Sequence, residues 1–241
     1  MTATLLTPAR PIVDRTPATM LRLGEVAAGT GWGVVEWHRP EPSAAFSRRD
    51  AHAPGFDAAV GIARDRGFEP FIRPVGGRLA AYHDGALVLD VLARHASPRE
   101  GTTARFREFA HAIARGLSAL GVDARVGAVP GEYCPGEWSV NIGGRHKVVG
   151  TGQRIARGAV LATAVIVVGD AQPLAEVMAD AYEHLGLAMD PRVVGSVSAH
   201  APGVTLADVE DAVGEALADS LDLAGPDLVS GRAILSPWDP R

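Results

Sequence analysis

One cysteine, Cys134, occurs in the 241 residues, within the stretch Gly131-Glu132-Tyr133-Cys134-Pro135-Gly136-Glu137. A thiolate is a strong nucleophile. A cysteine on a loop can form a thioester when a base or cation lowers its pKa and amide or ammonium donors face the oxyanion. A lone cysteine is also among the most commonly buried residues and packs as a small apolar side chain. The glycines, the proline and the two glutamates around Cys134 make a loop, and functional residues concentrate on loops held by a scaffold. Two other stretches carry parts that could serve such a thiol. Gly144-Arg145-His146-Lys147 leads a basic cluster into an apolar run, where a lysine is either solvated or, if buried, a contact for a developing anion. Arg73-Pro74-Val75-Gly76-Gly77-Arg78, followed by Tyr82-His83-Asp84, sets cations beside flexible backbone. Its amides suit an acyl carbonyl or a phosphate, although an ordinary turn with surface arginines would read the same way. His83 is the nearest candidate base in that segment.

Gly150-Thr151-Gly152-Gln153-Arg154-Ile155 has the outline of a dinucleotide fingerprint, with Asp170 further on. Ile155 stands where the third glycine belongs, and Gly158 interrupts the required crossover helix, so these glycines are read as strand positions that let a ligand or neighbouring strand approach. Nucleophile elbows, Walker loops and H-E-x-x-H motifs are missing from the sequence. One cysteine excludes an internal disulfide, and without a Cys/His cluster at ligand spacing no metal site is expected.

The elements that must position these residues are legible as periodicities. Gly33–Trp37 reads as a strand and is followed by a solvent-facing loop through Pro40 and Pro42. Residues 55–66 read as a helix ending at Gly67. Phe71–Val75, Leu79–Tyr82 and Ala86–Leu92 read as strands, with Asp84-Gly85 as a hairpin turn. Phe106, Phe109, Ala110, Ile113, Leu117 and Leu120 fall at three- and four-residue steps, so the spacing predicts a helix over 103–120 with one buried face. Further strands are expected at 124–129, 138–142, 146–149 and 159–168, the last covered on both faces. Helices are expected from Pro173 to Leu185 and from Thr205, which with Asp208 forms a cap-like start. These elements define an α+β fold, a single mixed, largely antiparallel sheet flanked by helices. Residues 1–30 are expected to be a loosely ordered N-terminal segment and 31–241 a single domain with C-terminal helices.

Composition limits the setting. Hydrophobic residues make up 47% and the net charge is −5, which describes a globular chain without the basic excess of a general nucleic-acid binder. The longest apolar run, residues 159–168, falls well short of the roughly 20 residues that cross a bilayer. The N-terminus is interrupted by Pro8, Pro11, Asp14 and Arg15 before it reaches signal-peptide length, so a reducing cytoplasm is the expected location.

Taken together, GEYCPGEWSVNIGGRHKVVGTGQRIARGAVL resembles the central segment of the biotin and lipoate protein ligase superfamily, in which a Gly-Arg-Lys-x-x-Gly-x-x-Gln-Arg signature carries an essential lysine. The Tyr-Cys-Pro-Gly loop is most similar to the branch of cysteine-dependent octanoyl and lipoyl transferases. RPVGGRLAAYHDGALVLDV is similar to the family segment that lines the acyl pocket. The resemblance spans roughly residues 33–220. It implies that Cys134 accepts the acyl group and that Lys147 orients its carbonyl. Arg73, Gly76, Gly77 and His83 would border the pocket, with Gly150 and Gln153 on the adjoining strand. It further implies transfer of an octanoyl or lipoyl group from an acyl carrier protein or lipoyl domain to a lysine on another lipoyl-domain protein. Such acceptors are the glycine cleavage H protein or a 2-oxoacid dehydrogenase E2. A transferase of this kind requires no cofactor; an ATP-dependent lipoate-protein ligase, the alternative, would use ATP and Mg. A non-catalytic lipoyl-binding relative is the third reading. Four features depart from the pattern: one residue is inserted between Gly77 and His83, Ser139 replaces the usual aspartate, His146 separates Arg145 from Lys147, and Glu137-Trp138-Ser139 stands where ligases carry Asn-Asp.

Overall fold

A computed structural model describes residues 11–29, 33–220 and 232–235. Seven strands form a large antiparallel sheet: β2 (Gly33–His38), β6 (Ala86–Arg94), β7 (Ala124–Val126), β8 (Val140–Ile142), β9 (His146–Ala156), β10 (Ala159–Val167) and β11 (Arg232–Leu235). Their spatial order is β11-β2-β6-β10-β9-β8-β7. A smaller sheet holds β1 (Val13–Asp14), β3 (Ser43–Phe46), β4 (Glu69–Ile72) and β5 (Ala80–Tyr82) in the order β1-β4-β3-β5, with parallel β1/β4 and β3/β4 pairs. The fold class is α+β as expected, but the expected single sheet is two. Asp84-Gly85 is therefore no hairpin: it passes the chain from β5 of the small sheet to β6 of the large one. Gly85 is needed there because a Cβ would lie 2.6 Å from the His83 ring.

One face of the large sheet is covered by α3 (Thr102–Ala119) and α5 (Leu206–Ser220), and Phe109, Ile113, Leu117, Val209 and Val213 bury against Leu89, Val91, Ala162 and Ile166. The helical period read in the sequence is the face that packs there. Thr205 and Asp208 make a reciprocal capping box at the start of α5. The Asp208 carboxylate accepts from the Thr205 backbone N–H at 2.8 Å, and the Thr205 hydroxyl accepts from the Asp208 N–H at 3.2 Å. Two other helices, α2 (Phe56–Asp65) and α4 (Gln172–His184), clamp the small sheet through Val60, Ala63, Leu174, Met178 and Tyr182.

One further expectation needs correction, and one element is new. Residues 16–28, expected to be loose, form helix α1 (Thr16–Ala28), whose Leu23 and Val26 pack on Leu92 and Leu161 of the large sheet. The prolines are compatible with this, because Pro17 occupies the first turn, where its missing N–H is no loss. Ser43–Phe46, just past the loop through Pro40 and Pro42, is a strand for which the sequence raised no expectation, and it is buried throughout. Small residues covered on both faces leave no polar alternation to read. Among the described residues no helix is long and apolar enough to cross a membrane.

Candidate active site

Between the two sheets lies a cavity of about 410 Å³, floored by β6, β9 and β10 and roofed by the small sheet, α1 and the residues 73–77 loop. Cys134 and Lys147 both line it, as do Arg73, Gly76, Gly77, Gly150 and Gln153. A second cavity of about 520 Å³ meets the first at Cys134 and is edged by Arg48, Arg49, Arg73, Arg78 and Arg154. The thiol thus stands where an apolar cleft joins a cationic one.

Cys134 is held by its backbone as much as by its side chain. Its φ of 42° is the only positive value at a non-glycine position among the described residues, a conformation that costs energy unless the surroundings enforce it. Tyr182 of α4 supplies the restraint. Its hydroxyl accepts from the Cys134 N–H at 2.7 Å and donates to the Leu79 carbonyl at 2.9 Å. The sulfur accepts from the Arg78 backbone N–H at 3.2 Å and from the Arg73 guanidinium at 3.5 Å. Burial pushes the thiol pKa up, but the Arg73 charge, the Arg78 amide and the Lys147 charge outweigh it and hold the thiol below its ordinary value. Gly77 makes this approach possible. At φ 102° a Cβ would lie 2.5 Å from the Arg73 guanidinium and 2.6 Å from the Cys134 sulfur.

Lys147 is 1% exposed and does not behave as surface decoration. Its ammonium donates to the Tyr133 carbonyl at 2.8 Å and to the Cys134 carbonyl at 3.0 Å, and lies 3.5 Å from Glu132 Oε1. Burial lowers its pKa, while Glu132 and Cys134 pull it back up. Glu132, which sequence reasoning passed over, is the hub of the cysteine loop. Its buried carboxylate accepts from the N–H groups of Val129 and Gly136, at 3.1 and 2.8 Å, and from the Ser139 hydroxyl at 2.9 Å. Ser139 is therefore a support for Glu132. The signal available in the sequence was a glutamate two residues before the cysteine and fifteen before the lysine. Its burial was not visible there.

The structure brings seven of the eight expected site residues to the cleft. His83 is the exception. Its Nδ1 accepts from the Gly85 N–H at 2.9 Å, which places the proton on Nε2 for donation to the Asp170 carbonyl at 2.7 Å. Both nitrogens serve the turn between the sheets, and the ring does not line either cavity. Gln153 reaches the cavity wall with its amide already committed: Nε2 donates to the Thr102 carbonyl at 3.1 Å, and Oε1 accepts from Arg105 at 3.3 Å. Arg105 is fully buried and also donates to the carbonyls of Glu100 and Pro98, so it ties the start of α3 to β9.

A two-sheet α+β fold with a buried lysine clamping a cysteine loop at an apolar cleft matches a known class. Residues 57–218 match the lipoyl protein ligase A/B catalytic domain, and the chain belongs to that family. Among curated proteins it is similar to the octanoyl-[GcvH]:protein N-octanoyltransferase of Geobacillus kaustophilus, 27% identical over 135 residues, 56% of this chain and 47% of that protein. The protein of the same name from Exiguobacterium sibiricum is 29% identical over 159 residues, 64% of this chain and 56% of that protein. The chain thus spans about half the length of these relatives. Solved structures with the same fold include lipoate-protein ligase A bound with ATP, with a TM-score of 0.63 and 18% identity, covering 88% of this chain and 84% of that one. Another is a bipartite lipoate protein ligase with its E2 lipoyl domain from Thermoplasma acidophilum, with a TM-score of 0.60 and 19% identity, covering 88% and 82%.

Proposed function

We propose that this chain is an acyltransferase of protein lipoylation, which takes an octanoyl or lipoyl group onto Cys134 and delivers it to a lysine of a lipoyl-domain protein. The observation that carries this reading is the thiol itself, at the joint of an apolar and a cationic cleft, bonded by the Arg78 amide and Arg73 and held below its ordinary pKa. The relatives from Geobacillus and Exiguobacterium, by name, act on GcvH, and this supports a lipoyl-domain partner here. An acyl carrier protein, the glycine cleavage H protein or a 2-oxoacid dehydrogenase E2 would be the donor or acceptor. The single reduced cysteine suits the cytoplasm.

In the first step the Cys134 thiolate attacks the donor carbonyl carbon, and the C=O electron pair moves onto oxygen. The Arg73 guanidinium and the Arg78 amide are the nearest donors for that oxyanion. Its collapse expels the donor's sulfur as a thiolate or, from a lipoyl domain, the lysine nitrogen as an amine that has taken up a proton. In the second step the neutral acceptor lysine amine attacks the thioester, its proton passes to solvent as the amide forms, and Sγ leaves as the thiolate that Arg73 and Arg78 stabilise. Lys147 fixes the carbonyls on either side of Sγ and contributes its field. Gly76, Gly77 and Gly150 keep the walls close to the acyl carbonyl, and Gln153 braces β9 against α3. None of these steps uses a cofactor.

A second reading has its own support. The five arginines around the cavity beside Cys134 suit phosphate groups, as an ATP-dependent ligase would require together with Mg. Acceptor labelling decides between the two. Octanoyl-carrier thioester should label a lipoyl domain without ATP, and Cys134→Ser should abolish the labelling. Labelling that needs ATP and survives Cys134→Ser would establish the ligase instead, and acyl binding without any labelling would establish a catalytically silent relative.

A further inference from the structure

Strand register lays the cavity floor out in rows. Gly150, Val165 and Val88 form one row across β9, β10 and β6, Gly152, Thr163 and Asp90 the next, and Arg154, Leu161 and Leu92 the third. Residues opposite one another in register share a face. Gly150 is at the Lys147 corner, where a Cβ would lie 3.8 Å from the lysine Cε. Asp90 is two strands away, roughly 10 Å, and one row further down, another ~7 Å. The third row is closed by α1, whose buried Leu23 and Val26 pack on Leu161 and Leu92. A chain running down the floor from Cys134 therefore meets valines in the first row and a carboxyl with a hydroxyl in the second, before the helix blocks it.

The Asp90 carboxyl is largely buried and lines the cavity. Thr163 donates to it, and His38 Nε2 lies 3.7 Å from Oδ2, with Glu36 and Arg22 beyond. A carboxyl in a fatty-acyl cleft is out of place unless it marks where the chain must end. We propose that Asp90, together with Thr163, is the chain-length stop of the acyl pocket, set to admit a medium chain and to turn away longer ones; this rests on the acyl-transfer reading above. A chain that ends in the first row leaves the carboxyl to its partners. A longer one lies against it and removes its remaining contact with water without returning a hydrogen bond. The Asp90 side chain keeps 21% of its surface exposed, so a longer chain still has water to displace from it.

Each methylene buried in an apolar pocket ordinarily tightens binding about fourfold. The test is calorimetric titration of the whole chain with hexanoate, octanoate, decanoate and dodecanoate, which measures the pocket without requiring any transfer. Affinity should rise from hexanoate to octanoate, then fall about tenfold at decanoate. Asp90→Val should restore the rise through decanoate, and Asp90→Asn, equally polar, should keep the break. Should Asp90→Val not fold, Thr163→Val is nearly isosteric and should soften the break severalfold. A wild-type affinity that climbs steadily to dodecanoate, or a break unchanged in Asp90→Val and Thr163→Val, overturns the stop and leaves acyl transfer standing. Absence of binding at every length overturns the stop and the acyl pocket together.

Discussion

The Cys134 sulfur has one amide donor, one guanidinium and a nearby ammonium set against the burial of its own side chain, and the charges win. A thiol held below its ordinary value keeps its thiolate as pH falls, so alkylation by iodoacetamide should reach half its maximal rate below pH 9.0, the ordinary value. Arg73→Gln removes the largest favourable influence and should move that midpoint upward; an unmoved midpoint would show that Arg73 does not set the reactivity. Gly77→Ala places a methyl 2.6 Å from the sulfur at a φ that disfavours any side chain. Misplacement on that scale should slow acylation about a hundredfold, as read by single-turnover kinetics. The sequence showed the residue types at this site, because Cys134, Lys147, Gly77 and Arg73 stand in recognisable spacings. It did not show Glu132 or Tyr182, whose contributions depend on burial and on contacts across 15 and 48 positions of the chain. His83 was misread for a related reason: an imidazole beside an acidic turn looks the same whether its nitrogens face a substrate or the turn.

At the scale of elements, the cysteine loop is a strained segment pinned from two sides, by Lys147 at the start of β9 and by Tyr182 on α4. Tyr182→Phe leaves the Cys134 N–H and the Leu79 carbonyl without their shared partner and should cost about 1–3 kcal/mol, measured by denaturant unfolding, together with a larger loss of acylation. Lys147→Met leaves the buried Glu132 carboxylate without its cation and should cost about 3–5 kcal/mol. Adding Glu132→Gln should recover part of that loss; additive losses would mean that the two side chains are uncoupled. The long helix α3, the two-face-buried β10 and the capped α5 were legible because period and cap chemistry are local. Helix α1 and strand β3 were not. One starts with a proline that reads as a breaker, and the other owes its extended form to cover on both sides rather than to its own small residues. The division of strands between two sheets was also hidden, since Asp84-Gly85 has hairpin composition but connects strands that never pair.

For the whole molecule, the thiol stands where the cleft between the two sheets and α1 meets the arginine-edged cleft. The chain as a whole is acidic at −5, and of the five arginines around one cavity Arg78 pairs with the buried Asp50 and Arg48 with Asp14, so Arg49, Arg73 and Arg154 leave that mouth cationic, which under the proposed function would steer an acidic carrier or lipoyl domain toward Cys134. Raising ionic strength should therefore slow association with the acceptor while leaving the chemistry of a formed complex unchanged. Covalent chemistry at one sulfur is the central claim, and intact-mass spectrometry after brief exposure to octanoyl-carrier thioester, without ATP, tests it most directly. A single octanoyl addition that is labile to hydroxylamine, maps to Cys134 and disappears in Cys134→Ser is the predicted result. An unmodified protein that still labels its acceptor, or an adduct unaffected by Cys134→Ser, would contradict it.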